Sequence, residues 1–338
     1  MIPKRTDHSI ASTAATRRTF LTSAAVLNIT ASQAETDRIP IIDTHIHFFD
    51  TTRPQGVPYP GPKAILGVPV ATPETYRKVV SNLHVVGAIE IEASPWIEDN
   101  LWVLELAGRD NIVVGTIGNL EPDKPEFPEY LERYHRNPLF RGIRYGNLWN
   151  RSITTAIANP SFISGVKLLA SANLTLDTAN PNLELLNGII RLTDKVPELR
   201  VVLDHLPNLD TSGQRSAARD IESALRELAP RNTFAKLSAV TKRVNGEAQT
   251  DVAFYKPKLD LLCDIFGEDK VVYGSDWPNS TGNWVPYETM LHIVQTYFQT
   301  RGRAAAEKYF WKNSVAAYHW VKRDPTQPDP ASVPSPKH

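Results

Sequence analysis

Eight short runs of β-branched and apolar residues alternate with amphipathic helical patterns, and this alternation constrains the fold most strongly. Several runs are almost continuously apolar, which is typical of strands buried on both faces of a parallel sheet. The predicted strands cover residues 39–43, 85–93, 111–117, 140–146, 174–178, 200–205, 233–238 and 271–276. Eight strands, each followed by a helix, predict an α/β fold: a single-domain (β/α)8 barrel of the TIM type.

A doubly wound open sheet is the alternative architecture. No G-x-G-x-x-G motif follows a predicted strand, so the dinucleotide site usual in that fold is missing. In a barrel, the active site lies at the C-terminal ends of the strands. The long segment 50–71 follows the first strand, and we expect it to cover the substrate.

Polar side chains gather where the predicted strands end. His45 and His47 follow the first strand and project to one face, because successive side chains of a strand alternate. His205 ends the sixth strand and Asp276 ends the eighth. Asp204 precedes His205, so we expect it to point to the opposite face and to be structural. An H-x-H motif alone is weak evidence, but a third histidine and a carboxylate at equivalent ends predict one shared site.

The residue types in this group predict acid–base or metal chemistry. Asp276 can act as a general base that deprotonates water. His45, His47 and His205 can ligate a divalent cation or, without metal, polarise a substrate carbonyl. We therefore predict Asp276 and His205 as catalytic residues, and all four side chains as candidate metal ligands.

Five further residues are candidates for binding the substrate. Arg144 and Arg243 can hold a carboxylate or a lactone oxygen through paired hydrogen bonds. Glu92 and Ser94 lie at the end of the second strand. Trp277 lies beside a strand end, where an indole either stacks on a substrate ring or belongs to the core.

Charge and cysteine content exclude several classes of partner. Lys plus Arg and Asp plus Glu number 37 each, so no basic surface for nucleic acid or membrane is indicated. Cys263 is the only cysteine, which excludes an intrachain disulfide and a cysteine-rich metal site. We expect a small-molecule substrate and no nucleic acid.

The two ends of the chain differ in composition from the barrel. Arg17 and Arg18 precede a short apolar run and small residues up to Ala34, an order that resembles a twin-arginine export signal. We predict an export signal and disorder over residues 1–36, the twin-arginine machinery as a partner, no membrane anchor after processing, and a periplasmic location. The alternative is a disordered tail on a cytoplasmic protein. Residues 321–338 are predicted as a Pro-rich tail.

Six motifs in order carry a family resemblance: IIDTHIHFFD, AIEIEASPW, FRGIRYG, VVLDHLPN, FAKLSAV and VVYGSDWPNS. They resemble the amidohydrolase superfamily, and most closely its amidohydrolase-related (amidohydrolase 2) branch of predicted metal-dependent hydrolases and sugar or pyrone lactonases. The resemblance implies a distorted barrel over residues 37–320, with its site at the C-terminal mouth.

The resemblance also implies a ligand set and a reaction. The fourth strand lacks the lysine that bridges two metals in many amidohydrolases, so at most one ion is expected, zinc or manganese. Metal-free catalysis is the alternative. The implied reaction is hydrolysis of a small sugar-acid or aromatic-catabolite lactone. A decarboxylase and a non-catalytic binding barrel are the alternatives; His45 stands where the decarboxylases usually carry Glu.

Overall fold

The computed structural model describes residues 38–60, 68–209, 215–280 and 285–334. Eight parallel strands lie side by side in chain order: β1 (Ile41–Ile46), β2 (Val85–Ile91), β3 (Val113–Gly118), β4 (Phe140–Arg144), β5 (Thr175–Asp177), β6 (Arg200–Leu203), β7 (Thr233–Ser238) and β8 (Val271–Gly274). A bridge between Ile46 and Trp277 joins the ends of β1 and β8. The predicted (β/α)8 barrel is confirmed.

Helices alternate with these strands. In chain order they are α1 (Pro73–Val80), α2 (Asp99–Arg109), α3 (Phe127–His135), α4 (Ile153–Ala156), α5 (Pro160–Ser171), α6 (Leu183–Lys195), α7 (Arg215–Leu228), α8 (Val252–Phe266), α9 (Tyr287–Arg301), α10 (Arg303–Glu307) and α11 (Asn313–Tyr318). A π-helical turn, Lys308–Lys312, joins α10 to α11, and 3-10 turns cover Leu206–Asn208 and Pro330–Ser332. Short antiparallel ladders pair Phe49–Asp50 with Val70–Ala71 and Arg243–Val244 with Glu247–Ala248.

Local sequence signals start several of the helices. Asn159 accepts a hydrogen bond from the Ser161 N–H, and Pro160 opens α5 because proline has no N–H that would need an acceptor. Asn182 caps α6 in the same way. These side chains satisfy backbone N–H groups that have no partner within the helix.

The strands alternate aliphatic and polar side chains, although both kinds are buried. At the end of β2, Ile89 and Ile91 alternate with Glu90 and with Glu92, which directly follows the strand, and all four are at most 5% exposed. Alternate residues of a barrel strand face the interior and the surrounding helices. The interior of the barrel near the C-terminal ends of the strands is therefore lined with ionisable groups, and these groups form the site.

The opposite end of the barrel is covered by the end of α11 and the chain that follows it. The Thr175 hydroxyl donates to the Ala317 carbonyl at 2.7 Å, and the Val321 N–H donates to the Val114 carbonyl at 2.9 Å. Gln327 is 2% exposed, and its amide donates to the carbonyls of Val86 and Asn111.

The side chain of Arg323 attaches the same segment to the barrel. Its guanidinium donates to the carbonyls of Ala107, Asp110 and Val113. Residues 321–334, part of the predicted Pro-rich tail, are thus docked on the barrel. The structure of the barrel unit therefore continues past residue 320. Hydrogen bonds from polar side chains, and not a long helix or strand, hold this segment in place.

The predicted export signal over residues 1–36 lies outside the described residues. Among the helices of the described ranges, none combines the length and the apolar character needed to cross a bilayer.

Candidate active site

A cavity of about 200 Å³, open to solvent, lies at the C-terminal mouth of the barrel. Its walls are formed by His47, Tyr59, Glu92, Ala93, Arg144, Leu148, Trp149, Asn180, His205, Asp276 and Asn279.

His45 and His47 project together from the end of β1, as their spacing predicts. Their Nε2 atoms lie 3.2 Å apart, and both residues are at most 2% exposed. The Nδ1 of His47 lies 2.8 Å from the Ile91 carbonyl. Because a carbonyl only accepts, this Nδ1 carries a proton, and the ring is oriented with its Nε2 towards His45 and Asp276.

Asp276 is the group on which the histidines converge. Its Oδ1 lies 3.1 Å from His47 Nε2, 3.6 Å from His45 Nε2 and 3.8 Å from His205 Nε2. Its Oδ2 accepts a hydrogen bond of 2.6 Å from the Ser280 hydroxyl. Burial alone would raise the pKa of Asp276, but His205, His47 and His45 hold this pKa below its usual range. Asp276 is therefore a fixed carboxylate.

His205 reaches the site because β6 ends early. The strand ends at Leu203, and His205 has a left-handed backbone with φ of 51°. Strand alternation no longer applies there, so Asp204 and His205 both turn towards the interior. Our expectation that Asp204 points away from the site was wrong. The Nδ1 of His205 lies 2.8 Å from the Ser238 hydroxyl, and burial lowers the pKa of this imidazole.

Three of these side chains can hold a metal ion. Donor atoms of His45, His205 and Asp276 all lie within 4.8 Å of one another. Two imidazole nitrogens and a carboxylate suit zinc or manganese. His47 was predicted as a fourth ligand. It contacts His45 and Asp276 but does not belong to this group of three.

Beneath the histidines lies a buried ionic cluster of Lys236, Asp177 and Asp204. The Lys236 Nζ is 2.7 Å from Asp177 Oδ2, 2.8 Å from Asp204 Oδ1 and 3.1 Å from His45 Nδ1. All of these side chains are 0% exposed. We did not include Lys236 among the predicted site residues. The available signal was a lysine inside an apolar strand, since a buried lysine needs a partner.

The predicted binding residues Glu92 and Arg144 both line the cavity. Glu92 accepts hydrogen bonds from Trp149 Nε1 at 3.2 Å and from the Ser94 N–H at 3.0 Å. Burial raises the pKa of Glu92 to about 7, although Arg144 opposes this rise. An Arg144 Nη2 lies 3.4 Å from Asp204, and the Arg144 Nε donates to the Thr178 carbonyl.

Three predicted binding residues lie elsewhere. Trp277 is 2% exposed, and its ring packs 5.2 Å from that of Tyr76, so it belongs to the core of the barrel wall. Arg243 lies on an exposed strand of a short ladder beyond β7, because the chain leaves the barrel after Ser238. Ser94 lines a neighbouring pocket that shares Glu92 with the main cavity.

The loop after β1 contributes Tyr59 to the cavity wall. The Tyr59 hydroxyl donates to Asn279 Oδ1 at 2.8 Å, and its ring packs edge-on against Phe49. The described part of segment 50–71 thus reaches over the site. Residues 61–67 of this segment lie outside the described residues.

The model of the amidohydrolase family matches residues 42–320, and the chain belongs to this family of hydrolases. It is 26% identical over 241 residues to an L-fucono-1,5-lactonase of Burkholderia ambifaria, covering 71% of this chain and 80% of the relative. The range that matches the family contains each proposed metal ligand and both proposed catalytic residues.

Solved structures share the fold at low identity. A zinc-bound amidohydrolase from Burkholderia multivorans has a TM-score of 0.71 at 20% identity, covering 83% of this chain and 99% of that one. A probable 2-pyrone-4,6-dicarboxylic acid hydrolase from Acinetobacter baumannii has a TM-score of 0.64 at 16% identity, covering 82% and 99%. A 5-carboxyvanillate decarboxylase from Sphingomonas paucimobilis has a TM-score of 0.58 at 13% identity, covering 84% and 100%.

Proposed function

We propose that this chain hydrolyses a small, uncharged, hydroxylated lactone at the mouth of the barrel. The observation that carries the proposal is the Asp276 carboxylate, which lines the cavity within 3.8 Å of three imidazoles. Lactone hydrolysis needs a base for the attacking water and positive or donor groups for the oxyanion that develops. This group contains both. The similarity to an L-fucono-1,5-lactonase supports the same reaction class.

In this mechanism Asp276 accepts a proton from water as the oxygen attacks the carbonyl carbon. Asp276 then returns the proton to the ring oxygen as the C–O bond breaks, which yields a hydroxy acid. Ser280 and Asn279 hold the carboxylate in place through hydrogen bonds. Since the pKa of Asp276 lies below its usual range, it is a weak base towards ordinary water. A divalent cation on His45, His205 and Asp276 would supply Lewis acidity, lowering the pKa of a water to roughly 7.

The charge of the cavity favours a neutral substrate over a carboxylated one. Among its described lining residues, the acidic and basic side chains apart from histidine are Glu92, Arg144 and Asp276. Arg144 already lies beside Asp204, so its charge is partly neutralised. A dicarboxylate would add two negative charges here. Hydroxyl groups can instead bond to Glu92 and to the amide of Asn180, and ring faces can stack on aromatic side chains.

A substrate panel tests this proposal directly. Neutral 1,5-lactones of hexonic and 6-deoxyhexonic acids are compared with 2-pyrone-4,6-dicarboxylate by following acid release at constant pH, with Asp276→Asn as the inactive control. We expect turnover of neutral lactones only. Opening of the charged pyrone while every neutral lactone is inert would refute the substrate class. Release of CO2 from aromatic acids without lactone opening would favour the decarboxylase alternative.

We also propose, from the sequence alone, that residues 1–36 direct export through the twin-arginine route to the periplasm. The support is the order of Arg17, Arg18, an apolar run and small residues up to Ala34.

A further inference from the structure

We propose that the Lys236 ammonium occupies a second cation position, beneath the one formed by His45, His205 and Asp276. Removing the Lys236 side chain would then let the protein bind one additional divalent ion. This inference concerns ion stoichiometry and is independent of the proposed substrate.

The position is defined by potential metal-ligand atoms that already surround the Lys236 ammonium. Donor atoms of His45, Asp177 and Asp204 all lie within 4.8 Å of one another, and all three residues are 0% exposed. The Lys236 Nζ lies within 3.1 Å of a donor atom of each. A buried group with this composition also suits a divalent ion.

The carboxylates have acceptor capacity that the ammonium does not use. Asp177 Oδ2 accepts from Lys236 at 2.7 Å and from the Tyr318 hydroxyl at 2.9 Å. Asp177 Oδ1 is buried and has no hydrogen-bond partner in the described part of the chain. An unpaired buried acceptor is costly, and coordination to an ion would satisfy it.

Size and charge explain why one occupant excludes the other. Ligand oxygens lie about 2.0–2.2 Å from zinc, so an ion at the centre of this group would overlap the ammonium. Removing the Lys236 side chain vacates this space and leaves two buried carboxylates with Arg144 as the nearest remaining cation. A buried charge without a partner is strongly unfavourable, and at saturating metal a divalent ion competes with protonation of the carboxylates to relieve it.

His45 separates the two positions. Its Nδ1 faces the lower group and its Nε2 faces Asp276. A neutral imidazole has one lone pair, so it can ligate at only one of its nitrogens. We therefore expect the added ion to be held mainly by Asp177 and Asp204, with water completing its coordination shell. The Nε2 of His45 remains available to an ion bound with His205 and Asp276.

The test counts ions in the Lys236→Ala variant. Wild type and variant are saturated with Mn²⁺ or Zn²⁺, freed of excess metal and measured by elemental analysis. We expect one ion more per chain in Lys236→Ala than in wild type. Lys256→Ala, which changes an exposed lysine, is the matched control and should leave the count unchanged. Lys236→Ala combined with Asp204→Asn should lose the added ion.

A second readout covers a variant that folds poorly. The melting temperature of Lys236→Ala should rise with Mn²⁺ more steeply than that of wild type, and methylamine should compete with the added ion. Lys236→Gln, which removes the charge but still fills part of the space, should show a weaker dependence than Lys236→Ala. An unchanged ion count in folded Lys236→Ala would overturn the proposal. Failure of both variants to fold at any metal concentration would overturn it too, because the group would then require the ammonium itself.

Discussion

Replacing Glu92 with Gln should change how the stability of the protein depends on pH. Glu92 is 5% exposed, and its burial raises its pKa from 4.5 to about 7. The folded protein therefore binds this proton more tightly than the unfolded chain does. The stability that comes from this difference is fully present below pH 4.5 and is lost as the pH rises through 7.

The size of the effect follows from the two pKa values. With 4.5 in the unfolded chain and 7 in the folded protein, ionisation of Glu92 lowers the free energy of unfolding by about 2.5 kcal/mol between pH 5 and pH 8. Gln cannot ionise, so Glu92→Gln lacks this loss. We expect the difference in unfolding free energy between variant and wild type to move by that amount in favour of the variant.

Urea unfolding followed by circular dichroism at pH 5, 6, 7 and 8 measures this difference. Glu105→Gln, at an exposed position on α2, is the matched control and should follow wild type at every pH. The loss of an acceptor for Trp149 affects all pH values equally, so it does not alter the slope. Parallel curves for wild type and Glu92→Gln would refute the reasoning, since they would show that Glu92 titrates alike in both states.

Three further predictions concern the general base, the segment docked on the closed end of the barrel, and the export signal. Asp276→Asn should lower kcat by about 10²-fold to 10⁴-fold, the usual contribution of a general base, while the circular dichroism spectrum stays unchanged; full activity would exclude this base. Gln327→Ala should lower the free energy of unfolding by about 1–3 kcal/mol in urea titrations, because two partly buried carbonyls lose their donor. Changing Arg17 and Arg18 to Lys should retain the protein in the cytoplasm on cell fractionation; unchanged periplasmic delivery would reject the signal.

The barrel strands could be predicted from sequence because each is a short apolar run with polar residues at its end. The observed β7, Thr233–Ser238, has the predicted bounds, and β6 ends two residues before the prediction. That difference decided the position of Asp204. Alternation holds only while the backbone remains extended, and the left-handed conformation at His205 is not encoded in any period of the sequence.

The binding residues were harder to predict because proximity to a strand end does not fix the direction of a side chain. Trp277 directly follows Asp276, yet its indole packs on Tyr76 of α1. Arg243 is only five residues beyond β7, but the chain has already left the mouth of the barrel there. Such contacts depend on how the helices and loops pack, which a single sequence does not reveal.

The attachment of the segment after α11 to the barrel is sensitive to mutation mainly on the side of the segment. Arg323 and Gln327 donate to backbone carbonyls of α2, of β2 and of the turn before β3, and every residue type presents such a carbonyl. Substitutions on the receiving side therefore leave these acceptors in place. These contacts depend on the identity of Arg323 and Gln327 in the segment, whereas the Asp324 carboxylate also needs the side chain of Asn111 as its donor.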